Sequence, residues 1–163
     1  DLTVSISTAD SLFSGAVDMC VLFAEQAKQA GITVNVTREP NDGYYSDVWL
    51  KKPFCAVSWG ARPTPDVMYT LAYKADADWN ESRWQNERFN ELLLQAKSEL
   101  DDSLRAEMYR EMATIARDDG GTIIPMFNNF VYARRSNVMR GESLAASWEL
   151  DGARAPSRWW FSS

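Results

Sequence analysis

The residues best suited to chemistry in this chain stand close together, in Trp59-Gly60-Ala61-Arg62-Pro63-Thr64-Pro65-Asp66. An indole offers an apolar or stacking wall, and a guanidinium offers five fixed donors that suit a carboxylate or phosphate bidentately. Thr64 and Asp66 add a hydroxyl and a carboxylate to the same loop. Such a set is built to recognise a solute. The plainer account makes Trp59 a core residue beside a turn and pairs Arg62 with Asp66.

Catalytic alternatives are few. The chain has no histidine, which removes His-based acid–base work, the usual Ser–His and Cys–His nucleophiles, and most zinc or copper sites. It has neither a Gly-rich phosphate loop nor a G-x-S-x-G. Carboxylate-only catalysis remains open, though nothing marks a pair. Asp76-x-Asp78-x-Asn80, with Glu87 at the twelfth place, mimics a calcium loop. Its sixth place, where a sharp turn needs glycine, is Glu81, and its eighth is Arg83, so no metal or other cofactor is expected. Trp79 and Trp84 read first as packing residues, and Met108 and Met112 as core.

The elements that position the loop follow from periodicity. Residues 54–58, Phe-Cys-Ala-Val-Ser, form a near-continuous apolar run of the kind covered on both faces of a sheet. Gly60 and two prolines stop it. Open α/β sheets place ligands beyond such strand ends. Residues 2–7 and 32–37 alternate as strands. Between them Ala16, Cys20, Phe23, Ala27 and Ala30 recur at helical spacing, and Gly31 closes the helix. Strand, helix and strand make a βαβ unit with parallel strands. Residues 44–50 follow as a short helix with Tyr45, Val48 and Trp49 on one face, and residues 67–73 as another.

Farther on, Phe89, Leu92, Leu93 and Ala96 give a helix stripe. Asp101 or Asp102 caps a longer helix with Leu104, Met108, Met112 and Ile115 on its apolar side and Gly120-Gly121 at its end. Asp101 and Arg105 are spaced as an i,i+4 pair. Residues 122–127 and 130–133 suit two extended segments. The fold expected is a three-layer α/β lobe whose first three strands share a mostly parallel sheet, with helices 14–30 and 102–119 packed against it. Beyond residue 134 periodicity fades until Arg158-Trp159-Trp160-Phe161, aromatics that need cover.

Composition sets the outer bounds. The 163 residues are 45% hydrophobic and 25% charged, enough for one domain with a real core. A net charge of −6 without a large Lys/Arg cluster excludes nucleic acid and anionic membrane as partners. No apolar run is long enough to span a bilayer. The two cysteines, Cys20 and Cys55, are expected as buried free thiols and do not settle the compartment. The chain opens inside a strand pattern, as a piece of a longer protein would.

In order along the chain stand Ala30-Gly31-Ile32-Thr33-Val34, Tyr45-x-Asp47, Ser58-Trp59, Thr64-Pro65-Asp66 and Asn80. Trp84-x-Asn86-x-x-Phe89-Asn90-x-Leu92-Leu93, Ala96, Asp101-x-x-x-Arg105-x-x-x-Tyr109 and Ile124-Pro125-Met126-Phe127 follow. This series resembles the solute-binding proteins of ABC importers of the peptide/nickel type, family 5. The resemblance implies a periplasmic-binding-protein-like fold, with residues 1–140 forming most of the second lobe. Residues 141–163 would be a tail packed on the first lobe. It implies a small-molecule or peptide solute held between lobes, an ABC permease as membrane partner, and a periplasmic or membrane-tethered extracellular location. In the family's peptide binders, an aspartate three residues after the family Trp holds the peptide's amino terminus. That position is Arg62 here, which points to an acidic or hydroxyl-rich ligand group. The site implied is Trp59 as wall, Arg62 as charge partner, and Asp42 and Asn80 as polar contacts. Two other function classes stay open, a carboxylate-dependent hydrolase domain and a protein-binding module.

Overall fold

A computed structural model describes residues 2–162, so the Asp1 end of the opening strand pattern lies outside it. Two compact units divide the chain at Trp59/Gly60.

In the first unit, β1 (Leu2–Thr8) leads through α1 (Ala16–Ala27) and a 3-10 turn (Lys28–Ala30) to β2 (Ile32–Arg38). Gly31 ends the turn at φ 74°, a conformation glycine adopts without steric cost. β1 and β2 run parallel in register from Leu2↔Ile32 to Thr8↔Arg38. The expected third strand is present as a single parallel bridge, Ser7↔Cys55. There Ser7 N donates to Phe54 O at 3.1 Å and Ala56 N to Ser7 O at 2.8 Å. Pro53 has no N–H to extend the ladder backwards. β1 is therefore central, with β2 on one side and residues 54–56 on the other.

Small residues at i,i+4 spacing, Ala16, Cys20 and Ala24, form the buried stripe of α1, while Phe23 and Ala27 pack at its margin. Short side chains let the helix lie close against the strands. The short helix α2 (Tyr44–Asp47) departs from expectation. Tyr44 and Val48 are the buried pair, and Tyr45 is exposed. The reason is polar, because the Tyr44 hydroxyl reaches two backbone carbonyls, Ser7 O at 3.0 Å and Ala56 O at 2.8 Å. Cys20 and Cys55 are both free thiols, Cys20 buried and Cys55 half-buried. Burial pushes the Cys20 thiol up, with the Thr8 hydroxyl as a weak offsetting partner.

The second unit is organised by helices. α3 (Pro65–Met68) passes into a π-helical turn (Tyr69–Tyr73), and α4 (Glu87–Ser98) and α5 (Asp102–Asp119) follow. Asn86 caps α4 by accepting from Phe89 N at 3.0 Å. Asp101 caps α5 by accepting from Ser103 N at 2.8 Å and Leu104 N at 3.1 Å. That cap takes Asp101 away from Arg105, which pairs instead with Asp102 and donates to Glu99 O. The expected stripe of α4 is buried in full: Phe89, Leu92, Leu93 and Ala96 close on Met112 of α5. Helix 102–119 thus buries its face against α4 rather than on the sheet, and Leu104 stays half-exposed. Arg88 bridges the two helices outside this core, with Nε and Nη2 on the Glu111 carboxylate at 2.7 and 3.0 Å.

Residues 121–135 form neither helix nor strand. The closing stretch is tied by a two-residue antiparallel ribbon, β3 (Val138–Met139) with β4 (Trp160–Phe161). Before β4 the chain makes a left-handed turn, with φ of 50°, 64°, 68° and 61° at Leu150, Asp151, Gly152 and Ala153. Each non-glycine residue there costs roughly 1–2 kcal/mol. Asp151, whose side chain is 1% exposed, holds the turn by accepting from Ala145 N at 2.7 Å, Arg158 Nη1 at 2.9 Å and Trp159 Nε1 at 3.3 Å. The Ala145 N–H first, and then the Arg158 charge, hold its carboxyl below the usual range. A depressed folded pKa gives stability that is complete above the unfolded value of about 3.9 and lost as pH falls through the folded one. Acid titration of wild type and Asp151→Asn is therefore expected to show an acid-side loss of structure near Trp159 in wild type only. Matching near-UV dichroism profiles in the two proteins would remove Asp151 as the cause.

Candidate functional site

The first unit places its polar groups beyond the carboxyl ends of the parallel strands. β1 has neighbours on both sides, so the chain changes direction about it, and such a switch point is where open α/β sheets bind ligands. Three short stretches follow the strand ends: residues 9–11, 39–43 and 57–59. Arg38 Nε donates to Asp10 Oδ2 at 2.7 Å, and Ser11 N donates to Asn41 Oδ1 at 3.0 Å, which ties the first stretch to the second. Glu39 N donates to Thr8 O at 2.8 Å and continues the β2 pairing by one step.

Glu39 is the hub of this end. Its Oε1 accepts from Lys52 Nζ at 2.5 Å and from Ser7 Oγ at 2.7 Å, and its side chain is 13% exposed. The Lys52 ammonium first, then the Ser7 hydroxyl, keep its carboxyl below the ordinary range, so the pair is charged at neutral pH. The sequence reading missed this node, since Lys51-Lys52-Pro53 looked only like a helix end. Thr8, wholly buried beside it, leaves its Oγ1 without a hydrogen bond of ordinary geometry.

Of the four expected site residues, Asp42 and Trp59 belong to this unit. Asp42 is exposed in the turn before α2, next to Gly43 at φ 77°. A side chain at Gly43 would strike Asp47 Oδ2 at 2.8 Å, so the turn requires glycine for space as well as for conformation. Trp59 is half-buried at the end of the third strand segment.

Arg62 and Asn80 belong to the second unit. Arg62 is half-buried and curls over its own loop, Nη1 donating to Gly60 O at 2.8 Å. Asp66 is not its counter-ion: its carboxylate accepts from Tyr109 Oη at 3.3 Å and lies 3.8 Å from Lys97 Nζ. Burial, and then the Asp66 charge, raise the Tyr109 phenol above its ordinary value. Asn80 is buried and turned inward, its Nδ2 donating to Trp84 O at 2.7 Å and Lys74 O at 3.2 Å. Its Oδ1 accepts from Ser82 Oγ at 3.2 Å. Asn80 thus shapes the 74–84 loop from within.

Trp84 packs on Phe89 with ring centres 5.0 Å apart, and its Nε1 donates to Asp119 Oδ2 at 2.9 Å. Asp76, first of the calcium-like positions, is paired with Lys74 at 2.5 Å. Among the described residues no three Cys, Asp or Glu side chains gather as a metal site. An open recess of about 510 Å³ lies at the start of α4 beside Asn86, Asn90 and Leu94, and none of the four expected residues lines it. No helix of the described residues is long and apolar enough to cross a membrane.

No family model and no curated protein matches the sequence. Solved structures do match. NikZ from Campylobacter jejuni, described in complex with Ni(L-His), superposes with a TM-score of 0.61 at 16% identity over 71% of this chain. DppA from Helicobacter pylori, an ABC transporter-associated periplasmic binding protein in complex with the peptide STSA, gives 0.61 at 23% over 73%. The Escherichia coli murein tripeptide binding protein MppA gives 0.60 at 22% over 71%. The chain spans about a quarter of these proteins, 24%, 24% and 23% of their lengths respectively. The fold is therefore the α/β fold found in part of the peptide- and nickel-type solute-binding proteins that the sequence resembles.

Proposed function

We propose that this chain is the ligand-binding second lobe of an ABC-importer solute-binding protein, acting outside the cytoplasmic membrane and handing its solute to a permease. The observation that carries this reading is the fold match over about seven-tenths of the chain to binding proteins for peptides and a nickel complex. The strand-end stretches around β1 support it, because a loop cluster at a switch point is a place to hold a ligand and contains no nucleophile–base pair. One lobe supplies one wall of an interlobe cleft, and closure supplies the other.

Within that reading Trp59 is the apolar wall and Arg62 the charge partner. Asp42 is a polar contact at the rim, and Asn80 acts by holding the 74–84 loop. Arg62 repels a free α-amine and offers paired donors to an anion or polyol. Replacing it with alanine in the full-length protein is expected to weaken binding of a carboxylate-bearing solute about tenfold, with little change for a neutral one. Isothermal titration against dipeptides, acylated peptides and dicarboxylates checks this. Unchanged affinity in Arg62→Ala, or simple dipeptides binding best, would reject the anion assignment. Turnover of any solute in the same panel would favour the hydrolase reading over transport.

A further inference from the structure

Between α5 and β3 the chain carries a stretch with no secondary-structure partner. We propose that residues 122–133 are an interaction edge that takes a second copy of this chain by antiparallel strand pairing. Among the described residues, no backbone hydrogen bond joins this stretch to any other segment. With Pro125 the one residue lacking an N–H, the stretch keeps a nearly complete row of donors and acceptors. Its apolar side chains are uncovered as well, Phe127 being 91% and Val131 92% exposed.

The stretch is held ready at both ends. A side-chain hydrogen bond links Thr122 to Tyr73, and the Tyr132 ring packs on Trp159 with centres 5.5 Å apart. Part of the ordering cost of pairing is thereby met before a partner arrives.

What fits such an edge is an extended, uncharged and unpaired strand, and this chain supplies one itself. No charged residue lies between Asp119 and Arg134, although the whole chain carries −6. Its two ends are opposite in sign, Asp118-Asp119 before and Arg134-Arg135 after. Two-fold antiparallel pairing centred on Phe127 brings each acidic end beside the other copy's basic end. The same register sets Ile123 opposite the partner's Val131 and Ile124 opposite the partner's Phe130. Closed two-fold pairing of this kind stops at a dimer. Parallel pairing would instead set like charges side by side.

Light scattering after size exclusion, from micromolar to millimolar protein, tests the proposal. Wild type is expected to move from monomer to twice that mass as concentration rises. Phe127→Lys and Val131→Lys are each expected to raise the midpoint concentration at least tenfold. Leu100→Lys, at another exposed apolar position 92% open, should leave it unchanged. Amide exchange should show residues 122–133 protected only in the dimer. A monomer at every concentration overturns the proposal. So does a dimer that survives both substitutions, or one that leaves those amides unprotected.

Discussion

Replacing Phe89 with alanine is expected to destabilise the 60–163 unit by about 3–5 kcal/mol, the range found when a buried aromatic is truncated in a well-packed core. The ring is 0% exposed. It meets Trp84, Tyr69 and Tyr73 with ring centres at 5.0, 5.2 and 6.4 Å. These neighbours cannot simply fall into the gap. Trp84 is tethered through its Nε1 to Asp119, and Tyr69 and Tyr73 are fixed by the turn they form. A cavity that cannot collapse keeps its full cost. Leu94, on the outer side of the same helix and 62% exposed, is the control, with an expected effect within about 0.5 kcal/mol. Urea unfolding followed by exchange of the α4 amides separates the two. A Phe89→Ala loss below about 1 kcal/mol would show that the α4–α5 core is loosely packed.

The second large effect is expected from a single oxygen. Tyr44→Phe keeps the ring and removes the hydroxyl that faces Ser7 O and Ala56 O. A phenol has one hydrogen, so the two carbonyls share it. Its loss leaves buried acceptors short of a donor, at about 1–3 kcal/mol. The damage should be local. Exchange at Ala56 N, which holds the third strand to β1, should speed up while the β1–β2 ladder stays protected. Equal loosening of both would mean that the hydroxyl supports the whole unit. Burial raises the Tyr44 phenol above its ordinary value. Its contribution is therefore complete below the unfolded value of about 10 and falls as pH rises beyond it. Tyr44→Phe should flatten that alkaline decline.

Much of the local structure was legible in the residues. Alternation marked β1 and β2, Gly31 marked the end of the helix between them, and the α4 stripe is buried residue for residue. Partners were less legible, because periodicity reports which face is apolar and not what covers it. The apolar side of α5 was assigned to the sheet and lies on α4. Tyr44 was passed over for Tyr45 because the deciding contacts are hydrogen bonds to carbonyls far along the chain. Asp101 was spaced for Arg105, yet cap geometry claimed it. The candidate site divides similarly. Trp59 and Asp42 stand after strand segments, as spacing suggested. The Ser7–Glu39–Lys52 node joins three separate segments and has no signature in any one of them.

The turn at Tyr69–Tyr73 carries a consequence for chain length. Lys74 N donates to Tyr69 O at 2.9 Å, five residues back rather than four. A turn of this kind holds one residue more than the α-helix that would span the same rise. Deleting one residue there would restore the four-residue step and turn everything after it by about 100° relative to Pro65–Met68. Tyr69 and Tyr73 now both reach the Phe89 ring, and the shorter helix would carry one of them round the axis and out of reach. The surplus residue acts as a phase adjuster between α3 and the aromatic core. A descendant could drop it and keep a helix, but it would have to rebuild that core around a different side chain.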